Sequence, residues 1–90
     1  MSDSSLEIRR RQLRFRAWHR GTREADLLLG PFADSYLPTC PAEGVDAFEA
    51  VLDEEDPDLW DWVTGQKPNG IPQNIAFTAL LKFVAERKAS

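Results

Sequence analysis

Ninety residues, about 42% of them hydrophobic and nine aromatic, suit one core but not a core plus a deep cofactor cavity. The single cysteine, Cys40, excludes an internal disulfide, and no apolar run reaches the ~20 residues that a membrane-crossing helix needs. The net charge of −4 hides a partition: residues 1–23 hold seven Arg against two acids, and residues 24–66 hold twelve acids with no Lys or Arg. Residues 67–90 return to four basic residues against one acid. Such a pattern fits an internal match between segments, a dipole offered to a partner, or simply solvated helix faces.

The N-terminus has no apolar stretch of the kind a secretory signal needs, and it carries Asp3 and Glu7. A mitochondrial presequence would be poor in acids and would precede the domain. Here the Arg-rich stretch runs straight into the motif at residues 20–24, so it reads as part of the fold. The bacterial cytoplasm is the expected location, ahead of the mitochondrial matrix.

Leu6 to His19 reads as a helix, rich in Arg, Leu and Gln and free of Gly and Pro. Leu6, Leu13 and Ala17 fall on one stripe, which Ile8, Phe15 and Trp18 are expected to broaden. Gly21 reads as its stop, and Arg20 as a dipole-matched residue of the last turn. Thr22 can cap a second helix with Glu24 and Asp26 in its first turn. Pro31 is expected to kink or split that helix before Tyr36 and Leu37.

A third helix is expected from about Pro41 to Glu54, with Val45, Phe48 and Leu52 on one face. Asp56-Pro57 signals a fourth start, with Asp56 as the cap and Pro57 at the first helical position. That helix, Pro57 to Thr64, is short and aromatic, and Gly65 stops it. Trp60 and Trp62 lie two apart and point to different sides, so only one of them is expected to be partly exposed. After the irregular stretch from Lys67 to Pro72, a last helix runs from about Gln73 to Lys88 with Phe77, Leu80, Leu81 and Val84 at helical spacing. The prediction is an all-α fold, a single compact five-helix bundle in one domain, residues 1–90, with its core at about 6–88.

Chemistry is sparse. One His and one Cys make no metal set, and Asp53 to Asp58 lacks the glycine and alternation of a calcium loop. Nothing places His19 beside Cys40, so a nucleophile pair is not expected; Cys40 reads as a quiet, partly buried thiol. There is no glycine-rich phosphate loop. The Arg-rich first helix leaves a nucleic-acid-binding module, or a generic interaction module, as the alternative reading, against which the acidic balance counts.

Arg20-Gly21-Thr22-Arg23-Glu24 stands in a specific context. Leu13-Arg14-Phe15-Arg16-Ala17-Trp18-His19 precedes it, and Ala25-Asp26-Leu27-Leu28-Leu29-Gly30-Pro31-Phe32 follows. Glu55-Asp56-Pro57-Asp58-Leu59-Trp60-Asp61-Trp62 comes later in the right order. Together, over roughly Leu13 to Val84, these resemble the SdhE-type succinate dehydrogenase assembly factors, also called flavinylation factors.

The resemblance implies a small five-helix protein that is not an enzyme. Its implied client is the flavoprotein subunit of succinate dehydrogenase and, in some bacteria, that of fumarate reductase. It would promote covalent attachment of FAD to a client histidine, so FAD is the client's cofactor and none is tightly bound here. The family's motif maps onto Arg20, Gly21 and Glu24 as the working surface, and Arg16 and Arg23 are counted with it as partner-binding candidates. Arg20 is expected to grip a client carboxylate, Glu24 to accept from the client, and Gly21 to admit a close backbone. A monomer without nucleic-acid partners or membrane insertion is expected. Gly21→Arg and Glu24→Ala are expected to weaken client binding with the fold largely intact.

Overall fold

The computed structural model describes residues 2–89, with side chains from 5 to 87. Five helices follow one another: α1 (Ser2–Ala17), α2 (Arg23–Tyr36), α3 (Ala42–Leu52), α4 (Asp56–Thr64) and α5 (Ile75–Ala89). No strand occurs among the described residues, so the all-α, five-helix expectation holds. The closely packed pairs are α1 with α2, α1 with α3, and α3 with α5.

One apolar centre joins all five helices. Leu13 and Ala17 come from α1; Leu29, Phe32 and Ala33 from α2; Val45, Phe48, Val51 and Leu52 from α3. Leu59 enters from α4, and Ala76, Phe77 and Leu80 from α5. Phe32 sits at the middle of an aromatic group, stacked on Tyr36 at 4.9 Å and edge-on to Phe48 and Phe83. Ile8 and Phe15 do not join the apolar stripe of α1, contrary to the sequence reading. Both point to solvent, and Phe15, 64% exposed, stacks on His19 at 4.0 Å. Leu13 and Ala17, with the half-buried Leu6, fill the contact with the core, and the flanks of that contact are taken by arginines.

Those arginines resolve the charge partition. Arg9 reaches Asp46 at 2.7 Å and Glu49 at 3.1 Å, and Arg16 reaches Asp53 at 3.0 Å, all on the α3 side. Arg14 pairs with Asp34 of α2 at 2.7 Å. Arg10 donates to the Cys40 carbonyl at 2.8 Å. The basic helix is therefore largely matched inside the molecule, with Arg11 left exposed. Each exposed pair adds little by itself, roughly 0–1 kcal/mol, but all favour the same docking of α1.

Helix ends follow local chemistry. Thr22 Oγ1 accepts from the Ala25 N–H at 3.2 Å, as its cap position predicts. Gly65 ends α4 with φ +81°. Asn74, unread in the sequence, caps α5: its side-chain oxygen accepts from the Phe77 N–H at 2.8 Å, and its amide donates to the Ala47 carbonyl at 2.9 Å. α3 is shorter than expected, with Pro41 as its N-cap and its end at Leu52. α2 runs through Pro31 without the split that is one of the two expected outcomes, a kink being the other. The carbonyl that loses its donor belongs to Leu27, which lies on the exposed side, where water can bond it.

Gly30 of α2 lies tight against the Trp18 indole from the α1–α2 turn: a Cβ there would lie 2.3 Å from the ring. That ring is held by its own N–H, which donates to Asp34 at 3.2 Å. Gly30→Ala should therefore lower unfolding stability by about 1–2 kcal/mol, since overpacking outweighs the gain in helix propensity. Urea unfolding checks this; an unchanged or raised midpoint contradicts it.

Cys40 is buried, and its Sγ lies 3.7 Å from the Leu37 carbonyl. Burial pushes the thiol pKa up, and Arg10 only partly opposes it. At pH 8 less thiolate forms than in a free cysteine, so reaction with Ellman's reagent should be at least tenfold slower than for the urea-unfolded chain. Equal rates would show that the site is open.

Candidate partner-binding site

The turn between α1 and α2, residues 18–22, carries the start of the motif. Its backbone is tied to α2 by the Arg20 N–H, which donates to Asp26 Oδ1 at 2.6 Å. Gly21 has φ +110°, a conformation that L side chains rarely adopt, and nothing lies within 4 Å of where its Cβ would stand. The glycine is thus required by backbone conformation, while its outer side is open to a partner. Any side chain here costs roughly 1–3 kcal/mol in strain, so Gly21→Arg does not leave the fold untouched.

Arg20 turns inward. Its Nε donates to Asp56 Oδ1 at 2.8 Å, Nη1 donates to the Leu52 carbonyl, and Nη2 donates to the Glu54 carbonyl at 2.8 Å. Nη2 also lies 2.7 Å from Asp56 Oδ1, and only 11% of the side chain is exposed. All three nitrogens are engaged with the corner between α3 and α4. One acceptor, the Leu52 carbonyl, closes α3 and has no donor within the helix, and the other, the Glu54 carbonyl, lies in the link to α4. The negative end of the α3 dipole adds to the attraction. Asp56 correspondingly does not cap α4: Glu55 holds the cap position, without a side-chain hydrogen bond, and the Asp56 carboxylate serves Arg20.

The other motif residues face outward. Arg23 and Glu24 open α2, are exposed, and have no hydrogen-bond or ion-pair partner among the described residues. Arg16 lies on the other side of the turn, paired with Asp53, so the structure does not bring it to Glu24. Beside Glu24 an apolar cleft of about 250 Å³ opens between α2 and α4, lined by Ala25, Leu28, Pro57, Leu59 and Trp60. A shallower depression of about 440 Å³ continues it past Leu27 and Trp60 to Val84 of α5. Glu24, Leu28 and Trp60 border both, so the two form one groove.

Leu27 and Trp60 are 52% and 42% exposed on this groove, large apolar side chains left on the surface beside an unpaired carboxylate. Trp62 is half-buried and packs edge-on against Phe77, with centroids 5.9 Å apart. Sequence reading left open which of Trp60 and Trp62 is exposed, and it missed Leu27, which resembles its buried neighbour Leu29 until the helix is placed. The depth and lining suit a protein partner's apolar side chains with a polar group for Glu24.

A model of the family described as flavinator of succinate dehydrogenase matches residues 11–88. The chain belongs to that family. It is 38% identical to the FAD assembly factor SdhE of Acetobacter pasteurianus, over 98% of this chain and 79% of that protein. It is also 32% identical to the mitochondrial succinate dehydrogenase assembly factor 2 of Komagataella phaffii and 37% identical to that of Arabidopsis thaliana. Those matches cover 98% and 86% of this chain but only 47% and 44% of the mitochondrial proteins. No solved structure matches significantly. The matched span includes the turn, the groove and the α3–α4 corner.

Removing the guanidinium strands two carbonyls and a carboxylate in a half-closed corner. Arg20→Ala should therefore lower stability by about 2–3 kcal/mol, the range for hydrogen bonds to charged groups. Arg23→Ala, on the open side of the same motif, should stay within about 0.5 kcal/mol of the parent. Chemical denaturation of both variants distinguishes the inward residue from the outward one; equal effects would contradict the assignment.

Proposed function

We propose that this protein is an FAD assembly factor: it binds the flavoprotein subunit of succinate dehydrogenase and promotes covalent attachment of FAD to it. The observation that carries the reading is the family match along residues 11–88, supported by the names of the relatives. The flavoprotein subunit of fumarate reductase is a second client on the same reading. The factor works as a monomer in the bacterial cytoplasm and has no catalytic group of its own. No helix among the described residues is long and apolar enough to cross a membrane.

The client docks on the groove beside Gly21 and Glu24. Leu27 and Trp60 supply apolar anchors, Glu24 accepts from a client donor, and the uncovered backbone at Gly21 allows close approach. The groove does not suit FAD as a resident cofactor. Its lining is mostly apolar, and the charges on it, Glu24, Asp56 and a single Arg87 at the far end, form no phosphate cradle. The flavin stays with the client, and the factor contributes by holding the client with flavin and acceptor histidine aligned, an orientation effect. The nucleic-acid alternative needs several free arginines on α1, whereas Arg9, Arg14 and Arg16 are paired with acids and Arg11 alone is left exposed without a partner among the described residues.

The experiment is co-expression with the apo flavoprotein subunit, followed by flavin fluorescence of the denatured client on a gel. The factor should raise the covalent flavin signal. Trp60→Ala and Glu24→Gln should each weaken client binding about tenfold or more, the range of interface anchors, with little loss of stability. Parent-like binding by both variants would remove the groove as the docking surface.

A further inference from the structure

Arg20 is the motif residue that the reading above leaves without a part in docking, because its donors are spent inside the molecule. We infer that Arg20 is a positioning residue: it acts on the client without touching it, by latching the α3–α4 corner to the α1–α2 turn. In this way it sets Trp60 opposite Glu24 across the groove. The inference rests on the assembly-factor reading for its link to the client, but the latch itself is a property of the free chain.

The helix that carries Trp60 is the one with least support. α4 does not belong to any of the closely packed helix pairs. Its anchors are Leu59 in the core, Trp62 (edge-on to Phe77) with Val63 against it, and the Arg20–Asp56 pair. The first two hold the middle and end of α4; the third holds its start. The same Arg20 is bound through its backbone to Asp26, one turn into the helix that presents Glu24 and Leu27. A single residue therefore links the two walls of the groove, and Asp56 stands at the border where they meet. Lysine cannot replace it: a point charge on a flexible stem does not reach one carboxylate and two carbonyls at once, as the planar fork does.

The test uses the full chain as parent, Arg20→Lys, Asp56→Asn and the double variant, each shown to be folded by circular dichroism. Amide hydrogen exchange of the free proteins and affinity for the apo succinate dehydrogenase flavoprotein subunit are measured on all four. Both single variants should speed exchange at least tenfold across residues 21–28 and 56–62 and should weaken binding by similar factors. The double variant should bind no worse than the weaker single, since both changes open one latch. Weakened binding by Arg20→Lys, with Asp56→Asn like the parent in both measurements, would make Arg20 a direct client contact and overturn the inference. Parent-like exchange in both single variants would overturn it too. Failure of the parent to bind the subunit would sink the assembly-factor reading and the link to the client, while the exchange data would still decide whether the latch exists.

Discussion

The corner where the Arg20 guanidinium meets Asp56 and the carbonyls of Leu52 and Glu54 is the contact on which the working surface depends. Three things converge there: the carbonyl end of α3, the acidic start of α4, and a turn whose glycine has positive φ. Each would be unfavourable alone. The helix end and its link to α4 leave carbonyls unpaired, the acid is half-closed from water, and the turn strains any residue but glycine. One planar cation satisfies the first two and fixes the third in place. The motif thus divides by direction. Arg20 holds the scaffold, while Gly21, Arg23 and Glu24 are left on the open side.

The charge partition has the same internal logic. Read along the chain, a basic segment followed by an acidic one suggests a dipole for a partner. In three dimensions α1 spends Arg9, Arg14 and Arg16 on Asp46, Glu49, Asp34 and Asp53. What borders the groove is modest in charge: Glu24, Asp56 and Arg87, framing Leu27 and Trp60. An interface of that kind selects its partner by apolar fit with a few oriented polar contacts, and not by long-range attraction. That suits an FAD assembly factor for succinate dehydrogenase.

Much of this was legible in the sequence, for physical reasons. Helix number and order followed from apolar spacing and from punctuation at Thr22, Pro57 and Gly65, which act locally and need no knowledge of the fold. The motif was visible with its context, so the family could be named from the residues. Other features depended on tertiary packing. Arg20 at a helix end looks like a dipole-matched surface residue; only the return of the chain 32 to 36 residues later turns it inward. Ile8 and Phe15 satisfy helical spacing, but Leu6, Leu13 and Ala17 already fill the seam. Pro31 carries a strong breaking tendency, yet its cost falls on a carbonyl facing water. Leu27 and Leu29 are identical residues two apart, and the placement of α2 decides which is core and which is surface.

The most direct measurement of the central claim is a hydrogen-exchange footprint of this chain with and without the apo flavoprotein subunit of succinate dehydrogenase. The account predicts protection on binding at residues 21–28, around Trp60, and at the part of α5 near Val84, with the outer face of α1 from Ile8 to Phe15 unchanged. Protection confined to α1, with the groove exchanging as in the free protein, would contradict it.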